Sequence, residues 1–192
     1  LSVLAASAFL PFLPMLSVQL ILLNLVYDIS CTALPWDRVE EEDLRRPAVW
    51  ESRTIARFMF CFGPVSSLFD ILTYVLLYFV LCPALCGGPY AALSDAAALA
   101  RFEALFRTGW FVESIFTQAL VIHMLRGKRF PFVRGGASLP VCLFTFGGIA
   151  LLTALPYTPA GAAVGLCPLP AVCFALLAAV VAGYLALTTL VK

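Results

Sequence analysis

Residues 16–34 read LSVQLILLNLVYDISCTAL, an apolar stretch that is interrupted by Asn24 and Asp28. A helix that crosses a bilayer needs about 20 mainly apolar residues, so this stretch is long enough to span one. Because the two polar residues are four positions apart, they project from the same side of such a helix. The stretch therefore predicts a membrane-spanning helix with one polar face.

The remainder of the chain extends this pattern. The whole chain is 62% apolar and 12% charged, whereas a soluble domain has about 25% charged residues. Prolines separate the apolar runs, as helix breakers do. We therefore predict an all-α, polytopic transmembrane helix bundle that forms one domain over residues 1–192. The predicted spans are a partial one at about 1–13, followed by 16–34, 58–83, 110–125, 139–156 and 169–191.

The basic residues are distributed unevenly between the predicted loops. Ten of the twelve lie in residues 35–57, in residues 126–138 or at Lys192, and the other two lie in residues 84–109. Cytoplasmic loops of membrane proteins carry the excess of lysine and arginine. We therefore predict that the first two segments are cytoplasmic loops and that residues 84–109 face outward. The expected partner is the lipid bilayer, and a net charge of +1 points to no nucleic acid.

Asn24 and Asp28 are the first candidates for a functional site. An acid inside a span is unfavourable unless it is paired, hydrated or bound to a cation. Carboxylate and amide oxygens are hard ligands that suit magnesium or calcium. The pair is therefore a candidate cation site. The alternative is a hydrogen bond that joins this helix to a neighbour in the bundle.

Other polar residues in the predicted spans have simpler interpretations. We expect Asp70 to make a structural hydrogen bond to a neighbouring helix, with a role in an ion path as the alternative. Glu113 is expected to be a hydrated acid near the outer boundary, and His123 an interfacial polar residue at the cytoplasmic edge. The seven cysteines show no metal-binding spacing and are expected to be small apolar residues within helices.

The first residues of the chain also carry information. Leu1 is not a methionine, and the apolar run that follows has no basic segment before it. A secretory signal peptide has a positively charged segment at that position. We therefore expect the chain to begin within a membrane helix.

Five segments, in the right order, resemble the magnesium-transporting class of P-type ATPases. ASAFLPFLPM precedes the polar motif, YDISCTALPWD overlaps and follows it, and ARFMFCFGPVSSLFDILTY resembles the seventh membrane helix of that class. WFVESIFTQALVIHMLRGKRFPF resembles its eighth helix with the basic hairpin, and YLALTTLVK resembles the end of its tenth. The resemblance covers nearly the whole chain except the loop 86–107, which looks lengthened.

The resemblance implies the tail of the fifth helix followed by helices six to ten. It implies that Asn24 and Asp28 bind the transported cation, Mg²⁺. Gln118 is at the position where related calcium pumps have a carboxylate on the eighth helix, so it is a possible outer contact of the ion, with packing or hydrogen bonding as the alternative. The parent would be a multi-pass pump of the cell inner membrane. Its partners would be the upstream cytoplasmic domains and membrane helices of the same parent chain.

The same resemblance implies where the ATP chemistry takes place. P-type pumps are phosphorylated at the aspartate of a DKTGT segment, which this chain lacks. We therefore expect no catalytic residue here and ATP only in the upstream domains. Two other interpretations stay open. One is a calcium or other cation pump, since oxygen ligands serve both ions, and the other is a stand-alone membrane scaffold or regulator.

Overall fold

The chain folds as a bundle of α-helices. The computed structural model describes residues 2–37, 52–125 and 137–191, and no β-strand occurs in these ranges. Most of the two predicted cytoplasmic loops, 35–57 and 126–138, lies outside the described residues. In chain order the helices are α1 (Ser2–Phe9), α2 (Ser17–Thr32), α3 (Ser52–Leu76), α4 (Cys82–Cys86), α5 (Ala96–Leu125), α6 (Leu139–Ala154), α7 (Pro159–Ala163) and α8 (Ala171–Val191).

Short irregular segments connect some of these helices. A π-helical turn at Leu77–Leu81 joins α3 to α4, so the two run as one long element. This element ends at Gly87, whose φ of 84° is a left-handed conformation that glycine adopts without steric cost. Turns of 3₁₀ helix occur at Leu34–Trp36, Tyr90–Ala92 and Leu155–Tyr157.

The helices have the length and composition of membrane spans. Within the described ranges, four segments are long and apolar enough to cross a bilayer, and each overlaps one of the predicted spans. The prediction of an all-α membrane helix bundle is therefore confirmed. The four segments are Ser17–Trp36, Gly63–Cys86, Leu139–Tyr157 and Ala171–Leu190.

Helix α5 is longer than the predicted span at 110–125. It begins at Ala96, where the Asp95 carboxylate accepts a 3.4 Å hydrogen bond from the backbone N–H of Ala97. The residues that follow are strong helix formers, AAALARFEAL, so the helix continues through its charged residues. The segment 84–109, which the sequence predicts as a loop, is therefore largely helical.

Helix α5 is also the centre of the bundle. It packs against α2, α3, α4, α6 and α8. Its side chains Phe102, Phe106 and Phe111 are completely buried. Because α5 is surrounded by protein, it can carry more polar residues than the other long helices. Consistent with this, α5 is not one of the four segments whose composition is apolar enough to cross a bilayer.

The joint between α1 and α2 is attached to the first half of α5 by Arg107. The Arg107 Nε donates a 3.1 Å hydrogen bond to the carbonyl oxygen of Leu13, and a terminal nitrogen of its guanidinium group lies 2.8 Å from the Glu103 carboxylate. The guanidinium carbon also lies 5.9 Å from the centre of the Phe12 ring. Tyr90 donates a 2.9 Å hydrogen bond to Glu103, and partial burial together with this bond raises the pKa of Tyr90.

Helix α2 is held on two sides. At its start, Gln19 is completely buried and donates a 3.0 Å hydrogen bond from Nε2 to the carbonyl oxygen of Val164 in the segment before α8. Further along, α2 approaches α6 so closely that a Cβ on Gly148 would lie 2.5 Å from Cγ1 of Val26. The Ser30 hydroxyl also donates a 3.4 Å hydrogen bond to the carbonyl oxygen of Phe144 in α6. These contacts determine which side of α2 faces the bundle.

Candidate cation-binding face

The two predicted cation ligands lie on the uncovered side of α2. Asn24 and Asp28 are both exposed, whereas Gln19, Leu23 and Ser30 on the opposite side are buried against the bundle. The exposed positions recur at helical spacing, so they form one continuous strip along the helix. We call the pair Asn24 and Asp28 the open polar face. The helices that the structure describes leave that face accessible.

The two side chains of the open polar face are not used within the bundle. Neither Asn24 nor Asp28 makes a hydrogen bond in the part of the chain that the structure describes. The interhelical hydrogen bond considered as an alternative is therefore not observed among these residues. One carboxylate and one amide, a helical turn apart, supply up to three oxygen atoms. Mg²⁺ prefers six oxygen ligands in octahedral geometry, several of which are waters, so this face supplies part of such a shell.

Gln118 lies on a different surface from the open polar face. Its side chain, half-buried on α5, lines a small cleft against α2 together with Tyr27 and Ser30. The cleft has a volume of about 10 Å³, which is about enough for one water. Asn24 and Asp28 are not among the residues that line it. The structure therefore brings Gln118 close to α2 without bringing it together with the other two candidates.

Asp70 makes the structural hydrogen bond that the sequence predicts. The hydroxyl of Ser2 on α1 donates a 2.6 Å bond to Oδ2 of Asp70 on α3. Asp70 is half-buried, and the bond satisfies one of its oxygens. The expectation of a contact between helices is confirmed.

Glu113 does not have the environment that the sequence predicts. It was expected to be a hydrated acid near the outer boundary, but its side chain is completely buried. Because α5 begins at Ala96, Glu113 lies in the middle of the helix rather than near its start. Neither carboxyl oxygen has a hydrogen-bond partner in the described part of the chain. The prediction of a hydrated acid is wrong.

His123 is buried between two helices. It is 4% exposed, and its ring stacks on Phe146 of α6 with the ring centres 5.5 Å apart. The two helices pack closely at this point, which removes the histidine from the surface. His123 lies in the last turn of α5, and its position at the cytoplasmic edge of the membrane stays a prediction.

The bundle brings together cysteines that are distant in the sequence. Cys82, Cys86, Cys167 and Cys173 lie near enough to one another to interact electrostatically, and all four are free thiols. Burial raises the pKa of Cys167, which lies in the segment before α8. No metal-binding group of three or more histidine, cysteine or acidic side chains occurs in the described ranges. The interpretation of these cysteines as packing residues stays the simplest one.

Gln19 is an important residue that the sequence analysis did not single out. Its side-chain oxygen accepts a 3.1 Å hydrogen bond from the backbone N–H of Leu16, and its nitrogen donates to Val164. An amide between the apolar residues Val18 and Leu20 was the available signal, because a buried polar group must find partners in the protein. Its role is to fix the start of α2, and with it the direction of the open polar face.

The fold and the open polar face define a class of protein: a helical membrane module with an exposed carboxylate and amide on one of its helices. Residues 12–192 match the family described as "Cation transporting ATPase, C-terminus", and the chain belongs to this family. The resemblance inferred from the sequence is thereby confirmed, and the chain is a multi-pass membrane protein.

Two curated relatives illustrate the similarity. The "Magnesium-transporting ATPase, P-type 1" of Salmonella typhimurium strain LT2 is 45% identical over 183 residues, which cover 95% of this chain and 19% of the relative. The protein of the same name from Escherichia coli K12 is 41% identical over 191 residues, which cover 100% of this chain and 20% of the relative. The chain therefore spans about a fifth of the length of the curated relatives that it matches.

Proposed function

We propose that this chain is the membrane module of an ATP-driven pump that imports Mg²⁺ across the cell inner membrane. In this proposal the parent protein hydrolyses ATP in cytoplasmic domains that precede the module in the same chain. The observation that carries the proposal is the open polar face, which lies on an uncovered side of α2 in a chain that belongs to a cation-transporting ATPase family. Upstream membrane helices of the parent are the partners that would cover this face.

The chemistry of the face supports a hard cation as the cargo. Asp28 supplies a negative charge and Asn24 a neutral oxygen one turn away, and Mg²⁺ is commonly held by one or two carboxylates together with water. A carboxylate within a span is stabilised when a cation binds to it. The upstream helices would supply the remaining ligands. The names of the relatives favour Mg²⁺ over Ca²⁺, which oxygen ligands alone would accept equally well.

The proposal is tested by substitution of Asp28 in the full-length protein. We expect Asp28→Ala to abolish magnesium-dependent growth of a transporter-deficient strain, because the only charged ligand of the face is removed. Asn24→Ala should raise the magnesium concentration for half-maximal uptake by about tenfold, equivalent to about 1.4 kcal/mol, with a smaller effect on the maximal rate. The measurements are growth at limiting magnesium and uptake into vesicles, with the amount of each variant determined in membranes.

Leu25→Ala is the matched control, because Leu25 is a 53% exposed neighbour on α2 without an oxygen ligand. It should grow like the wild type. Asp28→Asn separates the two interpretations of the acid. A hydrogen-bonding role tolerates asparagine, whereas a charged ligand does not. Wild-type growth from well-expressed Asp28→Ala would refute the ion-ligand role.

A further inference from the structure

A second acid lies inside the bundle and has no part in the proposed cation site. Glu113 is completely buried in the middle of α5, and both of its carboxyl oxygens are sealed from water. In the described part of the chain neither oxygen has a hydrogen-bond partner. An ionised carboxylate in such surroundings is strongly unfavourable, so its charge must be neutralised.

The neighbours of Glu113 provide no positive charge. The titratable groups that face it are Asp70 and Tyr74 from α3 and Tyr184 from α8, all near enough for an electrostatic interaction. Among the described residues of the other helices that pack on α5, none contributes a charge at this position. Two neighbouring acids in an apolar interior oppose each other's ionisation.

The geometry around Glu113 is that of a closed polar cluster. Trp110 lies three residues earlier on the same side of α5, and Tyr74 stacks on it with ring centres 6.1 Å apart. The indole nitrogen of Trp110 and the hydroxyl of Tyr74 are also buried without partners in the described ranges. The cluster is therefore built from buried polar groups on α3 and α5, where these two helices pack together.

We propose that Glu113 and Asp70 form an internal proton-binding site between α3, α5 and α8, in which Glu113 carries the proton. Asp70 is only half-buried and accepts a hydrogen bond from Ser2, so its ionised form is less unfavourable than that of the completely buried Glu113. Glu113 has no such donor, so the proton stays on Glu113. The site is separate from the open polar face, and it does not depend on which cation the protein transports.

The site suits a proton better than a metal ion. Mg²⁺ needs about six ligands and keeps several waters, which requires space that water can enter. Both oxygens of Glu113 are inaccessible to water, and no cluster of three metal-binding side chains occurs in the described ranges. A proton needs only one lone pair and no additional volume. Any movement that admits water between α3, α5 and α8 would allow Glu113 to ionise and release it.

Infrared spectroscopy of the full-length protein in lipid tests this proposal. A protonated carboxyl group has a C=O stretch that is separate from carboxylate bands and shifts in D₂O. We expect the difference between wild type and Glu113→Gln at neutral pH to contain this band. Glu103→Gln is the matched control on the same helix, because Glu103 is paired with Arg107 and should contribute no such band. If Glu113→Gln removes no protonated-carboxyl band, the proposal is wrong.

Further variants keep the test decisive if Glu113→Gln does not fold. Glu113→Asp retains an acid and should give a band at a different frequency. Asp70→Asn removes the neighbouring charge, so the Glu113 band should disappear at a lower pH than in the wild type. An unchanged titration in Asp70→Asn would overturn the pairing of the two acids. Because the spectrum does not require transport, failure of this proposal is distinguishable from failure of the pump proposal.

Discussion

Gln19 is completely buried in the first turn of α2, and both ends of its amide group are used. The oxygen accepts a hydrogen bond from the N–H of Leu16, one of the backbone groups that a helix start leaves without a partner. The nitrogen bonds to the carbonyl of Val164 in a distant part of the chain. One side chain therefore caps the helix and attaches it to the bundle.

Replacement of Gln19 should destabilise the protein. Gln19→Leu keeps the approximate size of the side chain but leaves the Leu16 N–H and the Val164 carbonyl without their partner, at a cost of about 1–3 kcal/mol. The expected result is a lower melting temperature of the purified protein in detergent. Ser7→Ala is the control, since the exposed Ser7 hydroxyl bonds only within α1 and its loss should have little effect. Equal melting temperatures of Gln19→Leu and wild type would contradict this role.

At the scale of single residues, the environment of some side chains could be predicted from the sequence, and that of others could not. The four-residue spacing correctly predicted that Asn24 and Asp28 share one face of α2, because helix geometry alone decides this. The burial of Glu113 and His123 could not be predicted in the same way. Lipid and protein interior are both apolar, so the composition of a membrane helix does not reveal which side faces its neighbours.

At the scale of helices, hydropathy did not predict that the first half of α5 is helical. The segment from Ala96 to Gly109 contains Arg101, Glu103 and Arg107, so it does not resemble a membrane span. Helix propensity gave the better signal, because the segment is rich in alanine and leucine. Arg107 and Glu103 also form an ion pair at a spacing of four residues, and such a pair stabilises a helix that contains both charges.

The contact between α2 and α6 depends on a small residue. A Cβ on Gly148 would lie 2.5 Å from Val26, whereas a Cβ on Gly147 would meet no atom within 4 Å. We expect Gly148→Ala to separate the helices and to destabilise the protein by about 1–3 kcal/mol. Gly147→Ala should be neutral or stabilising by up to about 1 kcal/mol, because alanine favours helix. Thermal unfolding of both variants in detergent measures the difference, and equal effects would exclude a close approach at Gly148.

At the scale of the whole molecule, the uneven distribution of basic residues predicts the orientation in the membrane. Ten of the twelve lysines and arginines belong to segments that alternating spans place on one side. The positive-inside rule assigns that side to the cytoplasm. The structure is consistent with long apolar helices, and the orientation itself stays a prediction.

Single cysteines introduced at positions 48 and 95 test this orientation in a variant without native cysteines. We expect an impermeant thiol reagent to label position 95 in intact cells and position 48 only after the cells are opened. The physical reason is that the segment with the excess of positive charge is retained in the cytoplasm. Labelling of position 48 but not of position 95 from outside would reverse the topology.

Because α2 is attached at its start, the displacement caused by a tilt of the helix would increase with the distance from that end. Gln19 fixes one end to Val164, and Arg107 holds the preceding joint at Leu13, so a tilt of α2 along its contact with α6 would pivot there. At 1.5 Å per residue, Asn24 lies about 7 Å and Asp28 about 13 Å from that pivot. A swing of about 10° would then displace Asp28 by about 2 Å and Asn24 by about 1 Å. A small rotation would thus move the carboxylate of Asp28 about twice as far as the amide of Asn24.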